Sequence, residues 1–183
     1  MLPSETQYAL SGDATQPDVI ERARALKGRG PSAPFSVFFH GLPALADWGI
    51  RLPAWALPLT QHFWPGPLTL VLPLRNRLLR RLGSDDTVGV RVSSEPLLRR
   101  LGATFGKPLL ATSANPSGAR LTVAQENAWL RRLAETGAVK WARPSRYVRR
   151  PASTVLDCTG SRPRQLRPGA VPESAWRAII RGI

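Results

Sequence analysis

Two short segments place cations and hydroxyls at spacings that suit an anion. Lys27-Gly28-Arg29 sets an ammonium and a guanidinium on either side of a glycine. A guanidinium grips phosphate or carboxylate through two parallel hydrogen bonds, and an ammonium adds a point charge. The tripeptide also reads as an ordinary helix end, where glycine turns the chain and basic residues face the last carbonyls. Ser113-Ala114-Asn115-Pro116-Ser117-Gly118 follows an apolar strand. Its hydroxyls and backbone N–H groups could surround phosphates, although Asn-Pro and Ser-Gly mark plain turns as well. Pro3-Ser4-Glu5-Thr6 and Leu166-Arg167-Pro168-Gly169 have the same mixture of polar groups and turn formers. Ser153-Thr154 opens a strand with two hydroxyls, or is simple strand-edge polarity.

Other chemistries are poorly provided for. No G-x-x-x-x-G-K-[ST] loop occurs, and no nucleophile, base and orienting group form a protease- or lipase-like series. His40 and His62 read as surface or satisfied histidines. Two histidines and the single Cys158 cannot build a Cys/His zinc cluster, so no metal site is expected. One cysteine cannot form an internal disulfide, which suits a reducing cytoplasm. The longest apolar stretches, such as Leu68–Leu74, are too short to cross a bilayer, and Met1 is not followed by a signal-peptide pattern. The net charge of +14 favours polyanions such as RNA or nucleotides. Only Lys27, Lys107 and Lys140 are lysine, however, and an arginine bias of that size also follows from codon composition.

The elements that must position these groups alternate between strand and helix. A helix over Pro17–Lys27, capped by Asp13 or Thr15, shows Val19, Ile20, Ala23 and Leu26 on one face. Phe35–Phe39, Leu68–Leu74, Val88–Val92 and Pro108–Thr112 read as strands. Leu42–Trp48 and Ala54–Phe63 are short helices interrupted by proline, and Trp64 is a core or hinge aromatic. Pro96–Phe105 is helical, as is the stretch from the Thr122/Gln125 capping box to about Ala134. A strand over Ala138–Trp141 and a basic loop over Arg143–Ala152 follow. Thr154–Leu156 and Gln165–Leu166 are further strands, and Glu173–Ile180 is a closing helix. Arg91 lies inside a strand, where a lone buried charge is costly, so it either faces the solvent side or pairs with a carboxylate; the pair is favoured, with Asp157 the candidate. The 15 glycines and 18 prolines in 183 residues exclude a helical bundle. Several strand links are too short for a crossover helix, so the sheet should be mixed.

Taken in order, seven segments resemble the YrdC/Sua5 family of threonylcarbamoyl-AMP synthases. They are Pro3-Ser4-Glu5-Thr6-x-Tyr8-x-Leu10, Lys27-x-Arg29, Trp64-Pro65-Gly66-Pro67-Leu68-Thr69, Val88-Gly89-Val90-Arg91-Val92, Ser113-Ala114-Asn115-x-Ser117-Gly118, Ser153-Thr154-Val155-x-Asp157 and Leu166-Arg167-Pro168-Gly169. The resemblance implies an α/β (α+β) fold: one domain over 1–183, with a twisted mixed sheet and flanking helices around a large, concave, basic cavity. It implies a nucleotidyltransferase joining L-threonine, bicarbonate and ATP, with Mg2+, into L-threonylcarbamoyl-AMP and pyrophosphate. The threonylcarbamoyl group then passes, through the proteins of a tRNA threonylcarbamoyl transfer complex, to adenosine 37 of tRNA. By this resemblance Lys27 and Arg29 are catalytic. Ser4, Thr6 and Lys27 bind threonine and bicarbonate, and Arg29, Ser113, Asn115, Ser153 and Arg167 bind ATP.

The chain departs from the family pattern at Ser4 for threonine, Ala9 for glycine and Gly30 for proline. The first motif begins at Pro3, so either the start is placed too late or the domain lacks the family's usual N-terminal helix and strand. Two other readings remain open. One is a non-catalytic YrdC-like module that binds tRNA or double-stranded RNA. The other is a carbamoyl-adenylate-forming domain of the kind found in hydrogenase maturation, which belongs to much longer chains.

Overall fold

The computed structural model describes residues 1–119, 121–137, 139–140 and 150–181. Among them, seven strands form one mixed sheet: β1 Ala9–Leu10, β2 Ser36–Phe39, β3 Leu68–Pro73, β4 Thr87–Val92, β5 Leu109–Ser113, β6 Thr154–Asp157 and β7 Arg164–Arg167. Their order is β1-β5-β2-β4-β3-β6-β7. The β2/β4 and β3/β6 pairs are parallel and the other pairs antiparallel. The mixed sheet expected from the short links is therefore present.

Alternation along the strands gives the sheet two unlike faces, because successive side chains point to opposite sides. On one face Val37, Phe39, Leu70, Val90, Val92 and Leu156 join the main core. Helix α1 (Pro17–Lys27) packs there through Ile20 and Ala23, and α2 (Ala44–Asp47) through Leu45. Helix α3 (Leu57–Phe63) adds Leu59, and α6 (Glu173–Arg181) adds Trp176. Each fully buried leucine or valine contributes about 1.5–3 kcal/mol. The opposite face carries Ser36, Phe38, Thr69, Arg91, Val155 and Arg167. Helix α4 (Pro96–Phe105) covers one end of that face, where Leu98 meets Phe38 and Leu109. Helix α5 (Val123–Glu135) packs Leu130 and Leu133 against Tyr8 and Leu10.

Local chemistry sets the ends of these elements. Gly28 ends α1 in the left-handed region, at φ 58°, and Arg29 N–H returns to the Arg24 carbonyl. The helix-end reading of Lys27-Gly28-Arg29 is thus correct, and it is compatible with a functional one. The N-cap is Gln16, without a side-chain bond. Asp13 instead accepts from Thr15 N–H at 2.9 Å and from its hydroxyl at 2.6 Å, forming the turn before the helix. The Thr122/Gln125 capping box forms in both directions. Trp64 closes its turn by donating Nε1–H to the Leu68 carbonyl at 2.7 Å.

Some elements were not legible from local pattern. Strand β1 is two residues long and owes its existence to pairing with β5. A 3-10 helix over Arg77–Leu82 starts at Asn76, whose side chain accepts from Leu78 N–H. The expected Leu42–Trp48 helix shrinks to Ala44–Asp47, and Ala54–Phe63 splits into a 3-10 turn over Ala54–Ala56 and α3. Ala138 and residues 141–149 lie outside the described residues. The strand expected over Ala138–Trp141 and most of the loop expected over Arg143–Ala152 fall there.

Candidate functional site

The polar face of the sheet floors a hollow with about 700 Å³ of empty space, counting its open mouth. Hydroxyls of Ser4, Thr6, Ser36, Thr69, Ser113 and Ser153 line it, together with the guanidiniums of Arg29, Arg91 and Arg167. No carboxylate is among the described lining residues. Such a lining suits an anionic ligand rich in hydrogen-bonding groups.

The first wall is the Pro3–Tyr8 turn. Ser4 Oγ accepts from Thr6 N–H and Gln7 N–H and donates to the Gln7 carbonyl. It also lies 3.0 Å from Thr6 Oγ1. Thr6 Oγ1 in turn accepts from Arg91 Nη2 at 3.0 Å. The carboxylate that compensates Arg91 is Glu5, with Oε1 at 2.8 Å from Nη2. That contact is an ion pair without good hydrogen-bond alignment, and Coulomb attraction does not require alignment. The expected Asp157 partner is incorrect. Strand β3 lies between β4 and β6, which puts Asp157 out of reach, and Asp157 pairs with its cross-strand neighbour Arg164 at 2.9 Å. Burial alone would push the Glu5 carboxyl up. The Arg91 charge and the Ser93 hydroxyl outweigh burial and hold it below its ordinary value.

The second wall follows α1. Arg29 donates to the Pro34 carbonyl at 2.6 Å, and its Cζ lies 4.8 Å from the centroid of the Phe35 ring. Its buried Nε–H has no partner among the described residues. Burial, then the neighbouring charges of Arg24 and Arg167, lower the Arg29 guanidinium from its ordinary value. Burial, then Arg91, do the same to Arg167. Arginine remains charged regardless, so these directions record positive charge that an anion would relieve.

Lys27 has a different position. It is 3% exposed and is not among the residues lining the hollow. Its Nζ donates to the carbonyls of Ser113 and Asn115, with Asn115 Oδ1 at 3.4 Å. Ser117 N–H donates back to the Lys27 carbonyl at 2.8 Å. Lys27 therefore ties the end of α1 to the loop after β5. Burial, reinforced by Arg29, pushes its ammonium down to about 8. Asn115 Nδ2 donates to the Ala119 carbonyl and does not line the hollow.

The third wall is the β6/β7 end. Ser153 Oγ meets Thr69 Oγ1 at 2.9 Å and accepts from Arg167 Nη2 at 3.0 Å. Arg167 also donates Nε–H and Nη2–H to the Ser153 carbonyl. Gly169 permits this approach, since a Cβ there would come within 2.3 Å of the Ala152 carbonyl oxygen. The structure thus gathers Ser4, Thr6, Arg29, Ser113, Ser153 and Arg167 around one hollow, with Lys27 and Asn115 behind it. Sequence reasoning missed Thr69 and Ser36. A polar residue at alternate positions of otherwise apolar strands is the signal that identifies them. Glu5 was in a quoted motif, but its ion pair depends on a distant strand.

A family model labelled Sua5_yciO_yrdC, with the description "Telomere recombination", matches residues 1–169. A threonylcarbamoyl-AMP synthase from Bacillus subtilis is 31% identical over 180 residues, covering 97% of this chain and 51% of that protein. The crystal structure of Pyrococcus abyssi Sua5 complexed with L-threonine superimposes with a TM-score of 0.83 at 31% identity, covering 97% of this chain and 52% of the other. Escherichia coli YciO shares the fold at 24% identity, with a TM-score of 0.77 over 92% of this chain and 81% of its own. The chain thus spans about half the length of the Bacillus and Pyrococcus proteins.

Proposed function

Because the chain belongs to the Sua5/YciO/YrdC family, we propose that it is a threonylcarbamoyl-AMP synthase acting on L-threonine, bicarbonate and ATP. The observation that carries this reading is the hollow lined by three arginines and a ring of hydroxyls, without a described carboxylate. L-Threonine is the ligand of the Pyrococcus protein. The hydroxyl-lined hollow favours small-molecule chemistry over the RNA-binding alternative.

The reaction chiefly requires alignment and charge. The threonine amine forms a C–N bond to the carbon of bicarbonate, whose hydroxide leaves with the amine proton as water, giving an N-carboxylate. One of its oxygens forms a bond to the α-phosphorus of ATP as the bond to pyrophosphate breaks. Two anions must approach each other, so fixed positive charge lowers the barrier. Arg29 and Lys27 are proposed to supply that charge. Arg29 faces the hollow, and Lys27 adds positive potential behind the Ser113–Asn115 loop. Ser4 and Thr6 are assigned to threonine and bicarbonate, and Arg29, Ser113, Ser153 and Arg167 to ATP, while Lys27 and Asn115, expected to touch these ligands, stand behind the hollow and hold the loop that carries Ser113. Among the described residues no three His, Cys, Asp or Glu side chains converge on a metal site. Mg2+ would therefore enter on the triphosphate, as the Mg–ATP substrate. No strong protein base is needed, since positioning supplies much of the rate.

The product is a mixed anhydride that another protein must consume. tRNA contact, hand-over to the threonylcarbamoyl transfer complex and a cytoplasmic location belong to this proposal. No described helix is long and apolar enough to cross a membrane. The test is pyrophosphate release by the purified chain, with and without L-threonine, in bicarbonate and Mg–ATP. Threonine-dependent release, with threonylcarbamoyl-AMP identified by mass, supports the proposal. Absence of both release and ATP binding overturns it.

A further inference from the structure

The ion pair beneath the hollow joins two segments remote in sequence. Arg91 is 6% exposed and lines the hollow, yet three protein contacts already orient it. Its Nε–H donates to the Gly66 carbonyl at 3.3 Å, Nη2–H donates to Thr6 Oγ1 at 3.0 Å, and Nη2 lies 2.8 Å from Glu5 Oε1. Its Cζ stands 5.6 Å from the centroid of the Phe38 ring. The Glu5 carboxylate is held from its other side, where Ser93 Oγ donates to Oε2. A single guanidinium nitrogen thus meets both Glu5 and Thr6, locking the Pro3–Tyr8 turn to β4. Removal of the carboxylate would leave a buried charge without compensation and a guanidinium free to turn. It would also add a third uncompensated cation to a hollow that already has Arg29 and Arg167.

We infer that Glu5 is a positioning residue: its carboxylate, braced by Ser93, fixes the Arg91 guanidinium and, through it, the Thr6 hydroxyl at the threonine end of the hollow. The identity of the substrate rests on the threonylcarbamoyl-AMP reading; the ordering of Arg91 rests on the contacts alone. Glu5 touches no reacting atom and acts through Arg91 and Thr6.

Two readouts test this in the full chain. Steady-state kinetics compare Glu5→Gln, Glu5→Asp and Ser93→Ala, the last being a milder variant should Glu5→Gln fail to fold. In Glu5→Gln the KM for L-threonine should rise about tenfold or more, as misplacement of a positioning group does. The KM for ATP should change far less, and Glu5→Asp should recover part of the loss. Ser93→Ala should move the threonine KM in the same direction by a smaller factor. Nitrogen NMR of the arginine side chains gives the second readout. The Arg91 guanidinium should rotate slowly in the parent chain and faster in Glu5→Gln or Ser93→Ala. A folded variant with the parent threonine KM and an equally ordered Arg91 overturns the inference. So does a comparable rise in both KM values, with a fall in kcat, that simply follows the loss of thermal stability. If the parent chain releases no threonine-dependent pyrophosphate, the functional reading falls, and the NMR comparison still decides whether Glu5 orders Arg91.

Discussion

The two faces of the sheet are built from the same strands but answer to different demands. Along β3, Leu68, Leu70 and Leu72 enter the core while Thr69 turns to the hollow. Along β4, Val90 and Val92 enter the core while Arg91 turns the other way. The core face requires only apolar volume, and branched aliphatic side chains supply it. The hollow face holds polar groups that must each find a partner, because a buried polar atom without one is costly. Arg91 finds Glu5 and Thr6, and Ser153 finds Thr69 and Arg167. Arg29 keeps one buried N–H without a described partner. The comparison shows where stability and ligand chemistry separate.

Substitutions should break that separation in a defined order. Leu70→Ala, at a fully buried core position, should cost about 2–5 kcal/mol in denaturant unfolding and leave turnover per folded molecule unchanged. Arg29→Ala should do the reverse. Turnover should fall by about 10²–10³, the effect of removing one electrostatic stabiliser, while the unfolding midpoint moves little. An Arg29→Ala enzyme with normal turnover would remove this residue from the chemistry. Lys27→Ala should cross the boundary by losing both turnover and about 1–3 kcal/mol, since its absence leaves the Ser113 and Asn115 carbonyls without their donor.

Acid–base linkage sharpens the contrast at the same residue. The Lys27 ammonium is pushed from 10.5 down to about 8 by burial and by Arg29. Between those two values the unfolded chain binds more protons than the folded one, so folding stability should rise with pH across that window. Lys27→Met should flatten the rise, as read from urea midpoints at several pH values. An identical pH slope in both proteins would show that Lys27 is not depressed. The smallest effect is expected far from both faces. Val123→Ser, at 60% exposure, should change stability by less than about 0.5 kcal/mol and leave turnover unaltered.

Much of the fold was legible because it repeats a local rule. The apolar periodicity of α1, the branched runs of β3 and β4 and the Thr122/Gln125 capping box each depend on neighbours within a few residues. The site was legible as a set of segments, since Ser4, Thr6, Arg29, Ser113, Ser153 and Arg167 all sit at turns or strand ends and all line the hollow. Partner choice was not legible in the same way. The position of Arg91 in a strand pointed to a carboxylate or to solvent, and nothing local distinguished Glu5 from Asp157. Only the strand order, with β3 between β4 and β6, excludes Asp157.

The amino-acid order alone determined which side of each strand would be greasy and which would carry hydroxyls and guanidiniums, because side-chain direction alternates whatever the fold. Tertiary structure decided which of those groups meet. Lys27 joins the loop after β5, Glu5 compensates Arg91 and Ser153 meets Thr69. Hydrogen bonds and ion pairs act over a few ångströms, and residues so far apart in the chain reach that range only when the whole sheet has assembled.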